Sequence, residues 1–378
     1  MSKQGVFFKL LSKTFALWNN LSAMCISYSI ASLKGVKSMN KNNDLSYRQA
    51  DRQSPQHIHK VLSAVFKLCR PGVFLREMLR CRWQLSDEII EQYILADPPE
   101  NIVQRLYEEY GFGDEELLGV PGFYQGCDGR VQFQRHANID HGVAIRSTSH
   151  KITGILLHIN SEYKKSVDYP EKEFIWLSTK EEMLGTPSGS PIGMVGNPRE
   201  YMCYDDVIGK RRYGTELDLG KRGNIFITDS FLKAAACHQA YGMRALFMTG
   251  VRHADSLPRT MEMLCRKSKS RQKVIIAPDI DWTDDPVMMA DWMKIIQAIY
   301  SECLPIWIAL WNPVYGARID EVIRNGHTAE IRPKRISKAF LPRICCWADA
   351  KAGTGNDIAK RLSDDAHYLS GLIDDWEK

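Results

Sequence analysis

Between Gly220 and Gly326 short apolar runs alternate in strict order with stretches of 3.6-residue periodicity, and that order leaves the chain little choice of fold. It predicts strands at Asn224–Thr228, Ala245–Met248, Lys273–Ala277 and Ile306–Leu310. Helices are predicted at Leu232–Met243, Leu257–Lys267, Pro286–Tyr300 and from near Ala317. Strands joined through helices run parallel, because each crossover returns the chain to the end of the sheet where it began. Such crossovers are right-handed, which gives a small open parallel sheet with helices on both faces.

The segment before it reads differently. From Gly119 glycine, proline and alternating apolar residues predict a β-hairpin, His141–Ile145 with Ile152–Ile159 around Ser147–Lys151, and a further strand at Glu173–Leu177. Residues 119–218 therefore form a mixed α+β subdomain, and 219–328 the parallel-sheet domain. Ahead of them, 54–118 is a helical segment whose last stretch, Ser86–Tyr110, is predicted as one helix with Ser86 as N-cap and Gly111 beyond its end. Within 54–83 the basic residues Lys60, Lys67, Arg70, Arg76, Arg80 and Arg82 suit either an ordinary solvated helix face or a nucleic-acid surface. Residues 1–53 are a basic extension, too polar around Asn19 and Asn20 for a membrane span, with Met39 resembling a natural chain start. Residues 329–378 form a basic and helical tail.

Composition excludes several classes. At 378 residues, 44% hydrophobic and 25% charged, the chain is globular, neither fibrous nor wholly disordered. A net charge of +5, from 50 basic and 45 acidic residues, permits a phosphate-bearing partner without demanding one. The 10 cysteines include no CxxC pair, so no zinc ribbon or dense disulfide framework is signalled, and the compartment reads as reducing and cytoplasmic. No Walker A motif is present, since Gly353–Asp357 lacks its lysine and spacing. His136 and His141 flank Asp140, but without a third ligand in spacing no metal is assigned there. The basic run Arg266–Lys273 reads equally well as a solvated turn or a DNA contact.

Ligands of open parallel sheets sit beyond the carboxyl ends of the strands, and here those ends are acidic. The first strand leads into Asp229 and the third into Asp279, Ile280 and Asp281. If the third strand stays extended, alternation puts Asp279 and Asp281 on one side. Two carboxylates about 4 Å apart repel by about 4 kcal/mol at an effective dielectric near 20, so a converging set calls for a cation. Oxygen ligands suit Mg²⁺ or Mn²⁺, the usual equipment of phosphoryl and nucleotidyl transfer.

In this order and spacing the chain resembles the Toprim domain of bacterial-type primases, topoisomerases and some nucleases, and most nearly a primase-like group from mobile elements and phages. The group's TEGALKA segment matches Thr228–Ala234, its PGV matches Thr249–Val251, its D-x-D matches Asp279–Asp281, and its WDP-x-x-KGIDD matches Trp311–Glu321. Upstream, Val120–Tyr124 (VPGFY), the hairpin Gly142–Gly154 and the segment Glu173–Pro191, with Trp176, Leu177 and Ser178 and then Ser188–Pro191, match three further motifs, so the resemblance covers roughly residues 70–326.

The resemblance implies a metal-dependent primase-like nucleotidyltransferase acting on single-stranded DNA with nucleoside triphosphates. Asp229, Asp279 and Asp281 would be catalytic and metal-binding, with Mg²⁺ or Mn²⁺ as cofactor. Lys233, Arg146, Lys151, Arg318 and Asp320 would contact nucleotide or nucleic acid. A replicative helicase would be a separate partner, and no membrane is involved. Three departures bear on activity: the group's first glutamate is Asp229, the KGIDD lysine is missing around Ala317 and Arg318, and His158 stands near the place of a hairpin arginine. A catalytically attenuated nucleic-acid-binding replication accessory and a Toprim nuclease remain as alternatives.

Overall fold

The computed structural model describes residues 48–136, 138–160, 174–196, 203–205, 210–212, 224–250, 254–266, 273–282, 285–300, 306–336, 357, 360–361, 363–365 and 367–368. The chain divides into two units, Met1–Ser46 and Tyr47–Lys378, and all that follows concerns the second. The basic run at 267–272 and most of the tail beyond residue 336 lie outside the described residues.

The N-terminal half opens with α1 (Pro55–Leu68), α2 (Val73–Trp83) and α3 (Asp87–Tyr93). Next come β1 (Ile94–Leu95), α4 (Ile102–Tyr110), α5 (Asp114–Leu117), β2 (Phe123–Gln125) and β3 (Val131–Phe133). The hairpin strands β4 (Ile139–Arg146) and β5 (Ile152–Ile159) lead to β6 (Phe174–Trp176). Strands β1, β4, β5 and β6 form a four-stranded antiparallel sheet in the order β1–β4–β5–β6. The expected single helix over Ser86–Tyr110 is instead two helices separated by β1. Ala96, Asp97, Pro98 and Pro99 follow β1, and a residue before proline is pushed out of the helical region, which is why no helix crosses this stretch.

The C-terminal half begins with β7 (Gly193–Val195), followed by the pair β8 (Cys203–Asp205) and β9 (Lys210–Arg212). Then β10 (Ile225–Thr228), α6 (Phe231–Tyr241), β11 (Arg244–Phe247), α7 (Leu257–Arg266), β12 (Val274–Ile276), α8 (Pro286–Tyr300), β13 (Ile306–Leu310), α9 (Ile319–Arg324) and β14 (Arg332–Arg335) complete it. The six-stranded sheet has the order β14–β13–β12–β10–β11–β7, parallel from β13 to β11 and closed by an antiparallel strand at each edge. Both edge strands come from outside the span 219–328. β7 belongs to the segment read as the upstream subdomain, and β14, Arg332–Arg335, to the basic tail. A charged, fully exposed strand with Pro333 is a familiar way to keep a sheet edge from recruiting another.

Alternation along the central strands sorts the core. Ile225, Ile227, Val274 and Ile276 meet α7 and α8 through Leu257, Met261, Met289, Trp292, Met293 and Ile296. Phe226, Ile275 and Ala277 meet α6 and α9 on the opposite face, through Phe231, Ala234, Ala235, Ile319 and Val322. That second layer also takes in Trp83, Ile90 and Tyr93 and the Val143, Ile145 and Leu156 face of the four-stranded sheet, so one core joins the halves. The other face of the four-stranded sheet, with Ala144, Ile155 and Leu157, packs on α1 and α4. Polar contacts reinforce the seam: the Gly196 amide donates to Tyr93 Oη at 3.2 Å, and Gln239 accepts from the Ser86 amide at 2.8 Å and donates to the Gln84 carbonyl at 2.9 Å.

Candidate functional site

The chain leaves β10 through α6 towards β11 on one side, and leaves β12 through α8 towards β13 on the other. The adjacent carboxyl ends of β10 and β12 are thus a topological switch point, where the two departing connections open a crevice. Asp229 stands just past β10. The Ala277 amide donates to the Ile227 carbonyl at 3.0 Å, which carries the ladder one step beyond β12 and brings Asp279 alongside.

Asp229 and Asp279 meet at Lys233. This lysine lies in the first turns of α6, four residues after Asp229, and is 3% exposed. Its Nζ is 2.7 Å from Asp229 Oδ1, 2.9 Å from Asp229 Oδ2 and 2.5 Å from Asp279 Oδ1. The small side chains Ala234, Ala235, Ala236 and Cys237 let α6 lie close to the sheet and sink the ammonium below the surface. Burial works against the lysine charge, but the pull of Asp229 and Asp279 outweighs it and raises its pKa. Burial lifts the Asp279 carboxyl above the usual carboxylate range, and Asp229 adds to the rise against the opposing pull of Lys233 and Arg318.

Asp281 is not brought to the same point. The Trp282 amide donates to the Asp279 carbonyl at 3.1 Å, so Asp279–Trp282 is a turn, and the strand ends at Ile276. The expected alternation of an extended D-x-D therefore does not operate: buried Trp282 anchors the turn and leaves Asp281 exposed. The three aspartates do not form a group of three within mutual ligand distance.

Behind this turn lies the Trp311–Glu321 segment. The Trp311 indole donates to the Gly316 carbonyl at 2.8 Å, and Glu321 Oε2 accepts from the Ala317 and Arg318 amides at 3.1 and 3.3 Å. The loop so fixed accepts the Ile280 amide at the Ala317 carbonyl, 3.0 Å away. Asp320, 2% exposed, is held by Arg318 through paired contacts of 3.1 and 3.0 Å and by Arg324 at 3.1 Å. Arg324 carries no sequence signal of its own beyond its i+4 spacing from Asp320.

Arg146 and Lys151 sit at the hairpin loop. Arg146 donates to the Gln92 carbonyl at 2.8 Å and to the His150 carbonyl at 3.1 Å, and lies over the rings of Phe66 and Tyr93. Burial lowers its pKa. Lys151 is half-buried at the end of the loop. On α2, Arg80 pairs with Glu77 and Asp87, while Arg70 and Arg76 reach Glu91, so much of this basic stretch is neutralised within the fold. No helix among the described residues is long and apolar enough to cross a membrane.

The fold is similar to that of primase catalytic cores. The chain matches the zinc-binding and RNA polymerase domains of the Aquifex aeolicus primase with a TM-score of 0.51 at 12% identity, over 85% of this chain and 75% of that one. The RNA polymerase domain of Mycobacterium tuberculosis primase, solved with a double-stranded DNA oligomer carrying an overhang, gives 0.49 at 13% identity over 86% and 98%. A DNA primase domain from Pseudomonas aeruginosa gives 0.48 at 12% over 84% and 96%. The sequence matches no protein-family model and no curated protein.

Proposed function

We propose that the chain is a Toprim-type, primase-like nucleotidyltransferase that joins nucleotides on single-stranded DNA. The observation behind this reading is the meeting of Asp229 and Asp279 at the switch point of a primase-core sheet. Their donor set fits Mg²⁺ or Mn²⁺: both Oδ1 atoms are buried hard oxygens that share the single Lys233 ammonium. When bound, the cation would neutralise triphosphate oxygens and polarise the reacting phosphorus.

The chain's own residues supply the rest. Asp229 and Asp279 would hold the cation, and exposed Asp281, on the turn that follows Asp279, would add negative charge near it. Lys233 sets the spacing of the two carboxylates and offsets their repulsion. Arg318, whose charge also acts on Asp279, faces the site as a phosphate contact. Lys151 binds template backbone at the hairpin, and Arg146 braces that loop from within. Asp320, saturated by two guanidinium groups, positions Arg318. Nucleoside triphosphates and single-stranded DNA are the substrates, a separate helicase opens the duplex, and the work is done in the cytoplasm.

A second reading has its own support. An ammonium already lies between the two carboxylates, and Asp281 stands apart, which suits a nucleic-acid-binding replication accessory with an attenuated site. Incubation with labelled nucleotides, single-stranded DNA and Mg²⁺ or Mn²⁺ separates the readings. Metal-dependent polymers that vanish in Asp279→Ala/Asp281→Ala are expected. Fragments in their place would make the chain a nuclease, and DNA binding without either product would make it the accessory.

A further inference from the structure

The hairpin β4–β5 contains a second polar cluster, remote in sequence from the aspartates of the parallel sheet. His141 on β4 and His158 on β5 are register partners, with ring centroids 4.8 Å apart and planes 19° from parallel. Trp83, at the end of α2, presents its edge to both rings at 4.9 and 4.8 Å, and Phe174 on β6 does so to His158 at 5.1 Å. His141 is 0% exposed and His158 2%. Among the described residues neither ring nitrogen of His141 has a hydrogen-bond partner. An imidazole always offers polar nitrogens, and leaving a buried one unsatisfied disfavours the folded state. An arrangement that tolerates this at both nitrogens is one built for something else.

The third member arrives through a backbone irregularity. Neighbouring residues of a regular strand point to opposite faces, so Asp140 and His141 ought to diverge. The register slips between Ile139 and His141, and a bulge of this kind re-aims a side chain. As a result Asp140 Oδ2 comes 3.3 Å from His158 Nδ1. One ligand atom each from Asp140, His141 and His158 lies within 4.8 Å of the others. The sequence offers only His136 and His141 around Asp140; the third ligand comes from the partner strand.

We infer that Asp140, His141 and His158 form a site for a borderline divalent transition metal, with Zn²⁺ as its best occupant, separate from the carboxylate site of the parallel sheet. Two imidazoles and one carboxylate are a typical zinc donor set, whereas Mg²⁺ prefers oxygen alone. Ligands about 2.0–2.1 Å from a tetrahedral ion stand roughly 3.3–3.4 Å apart, and the Asp140–His158 pair already has that spacing. His141 closes the set by a small ring rotation, and water takes the fourth position. Asn160 donates to Asp140 Oδ1 at 2.8 Å, the kind of outer contact that orients a ligating carboxylate. Trp83 and Phe174 shield the ion. Its role is to cross-link the two strands that carry the Arg146–Lys151 loop, and to give α2 a fixed surface to pack on.

The test uses the full chain, stripped with a chelator and titrated calorimetrically with Zn²⁺, and with Co²⁺ followed by visible absorption. One Zn²⁺ per chain is expected, together with a tetrahedral cobalt spectrum and a higher thermal midpoint. His141→Phe keeps an aromatic ring in an apolar setting but removes a ligand, so affinity should fall at least about 100-fold and the midpoint shift disappear. Asp279→Asn should bind zinc as wild type does. If His141→Phe fails to fold by circular dichroism, Asp140→Asn replaces it, with an expected loss of at least about 10-fold. Failure of the wild type to take up zinc, or equal uptake by the ligand variant, would overturn the proposal and leave the histidines as aromatic packing. Because the readout is metal binding, it is independent of whether primer synthesis is found.

Discussion

Two charged clusters flank the same helix layer and are built in opposite ways. At Asp229, Lys233 and Asp279 two carboxylates share one ammonium, which leaves one negative charge over. At Asp320 a single carboxylate is gripped by Arg318 and Arg324, which leaves one positive charge over and every carboxylate oxygen bonded. Between them lies the Cys237 thiol, pushed up mainly by burial and further by Asp320, with Lys233 pulling the other way. The contrast separates two kinds of cluster: the Asp320 carboxylate is matched by two cations and has nothing left for a third, while the pair at Lys233 carries the excess negative charge that invites one.

The largest effect should come from cutting the saturated cluster. Asp320→Ala strands two partly buried guanidinium groups and is expected to cost about 3–5 kcal/mol in urea denaturation, since removing one member of a buried pair leaves its partners uncompensated. A loss below about 1 kcal/mol would mean that the two clusters do not differ in kind.

Next is Lys233→Met, which leaves Asp229 and Asp279 facing each other. At neutral pH a loss of about 3 kcal/mol is expected. The sign with pH follows from Asp279, whose pKa is already raised, chiefly by burial. A raised carboxyl favours the folded state while protonated and loses that contribution as pH rises through its folded value. The deficit of the variant should therefore shrink when denaturation is repeated near about pH 5, and again when millimolar Mg²⁺ is added at neutral pH. In the wild type the lysine works in the opposite range: its contribution is whole below the ordinary lysine value of 10.5 and fades as pH climbs through the raised one. The stability difference between wild type and variant should accordingly narrow at strongly alkaline pH. A difference independent of pH and of Mg²⁺ would show that the lysine matters for packing alone.

Most of the parallel sheet was legible because its strands are buried on both faces and so read as unbroken apolar runs. Ile225–Thr228 is buried at every position, and Pro286–Tyr300 and Ile306–Leu310 are found at their expected bounds. The edges were not legible. Gly193–Val195 is three residues long and Arg332–Arg335 wholly exposed, and neither has a pattern of its own until a neighbour pairs with it. At the site, Asp229 and Asp279 followed from strand ends, but their meeting at Lys233 depends on how deeply the alanines let α6 settle. The D-x-D turn was hidden because a single apolar residue between two acids alternates equally well in a strand, and only the burial of Trp282 bends it. Asp140, His141 and His158 escaped for a similar reason: spacing along the chain says nothing of a bulge.

The smallest effect on stability should accompany the sharpest effect on binding, and Asp279→Asn joins the two. Removing this charge leaves Asp229 and Lys233 as a balanced pair, and burial already disfavours the Asp279 carboxylate, so the folded state should change by no more than about 1 kcal/mol, in either direction. A neutral amide, however, gives up the excess negative charge on which a divalent cation depends. Mn²⁺ titrated by water-proton relaxation should bind wild type and lose at least about 10-fold in affinity with the variant, while Arg324→Gln at the other cluster leaves Mn²⁺ affinity unchanged and lowers stability. If both variants weaken Mn²⁺ equally, the cation responds to the overall field of the helix layer and not to the two carboxylates. If neither does, Lys233 is a permanent occupant of the crevice, and the distinction between a filled cluster and an open one disappears.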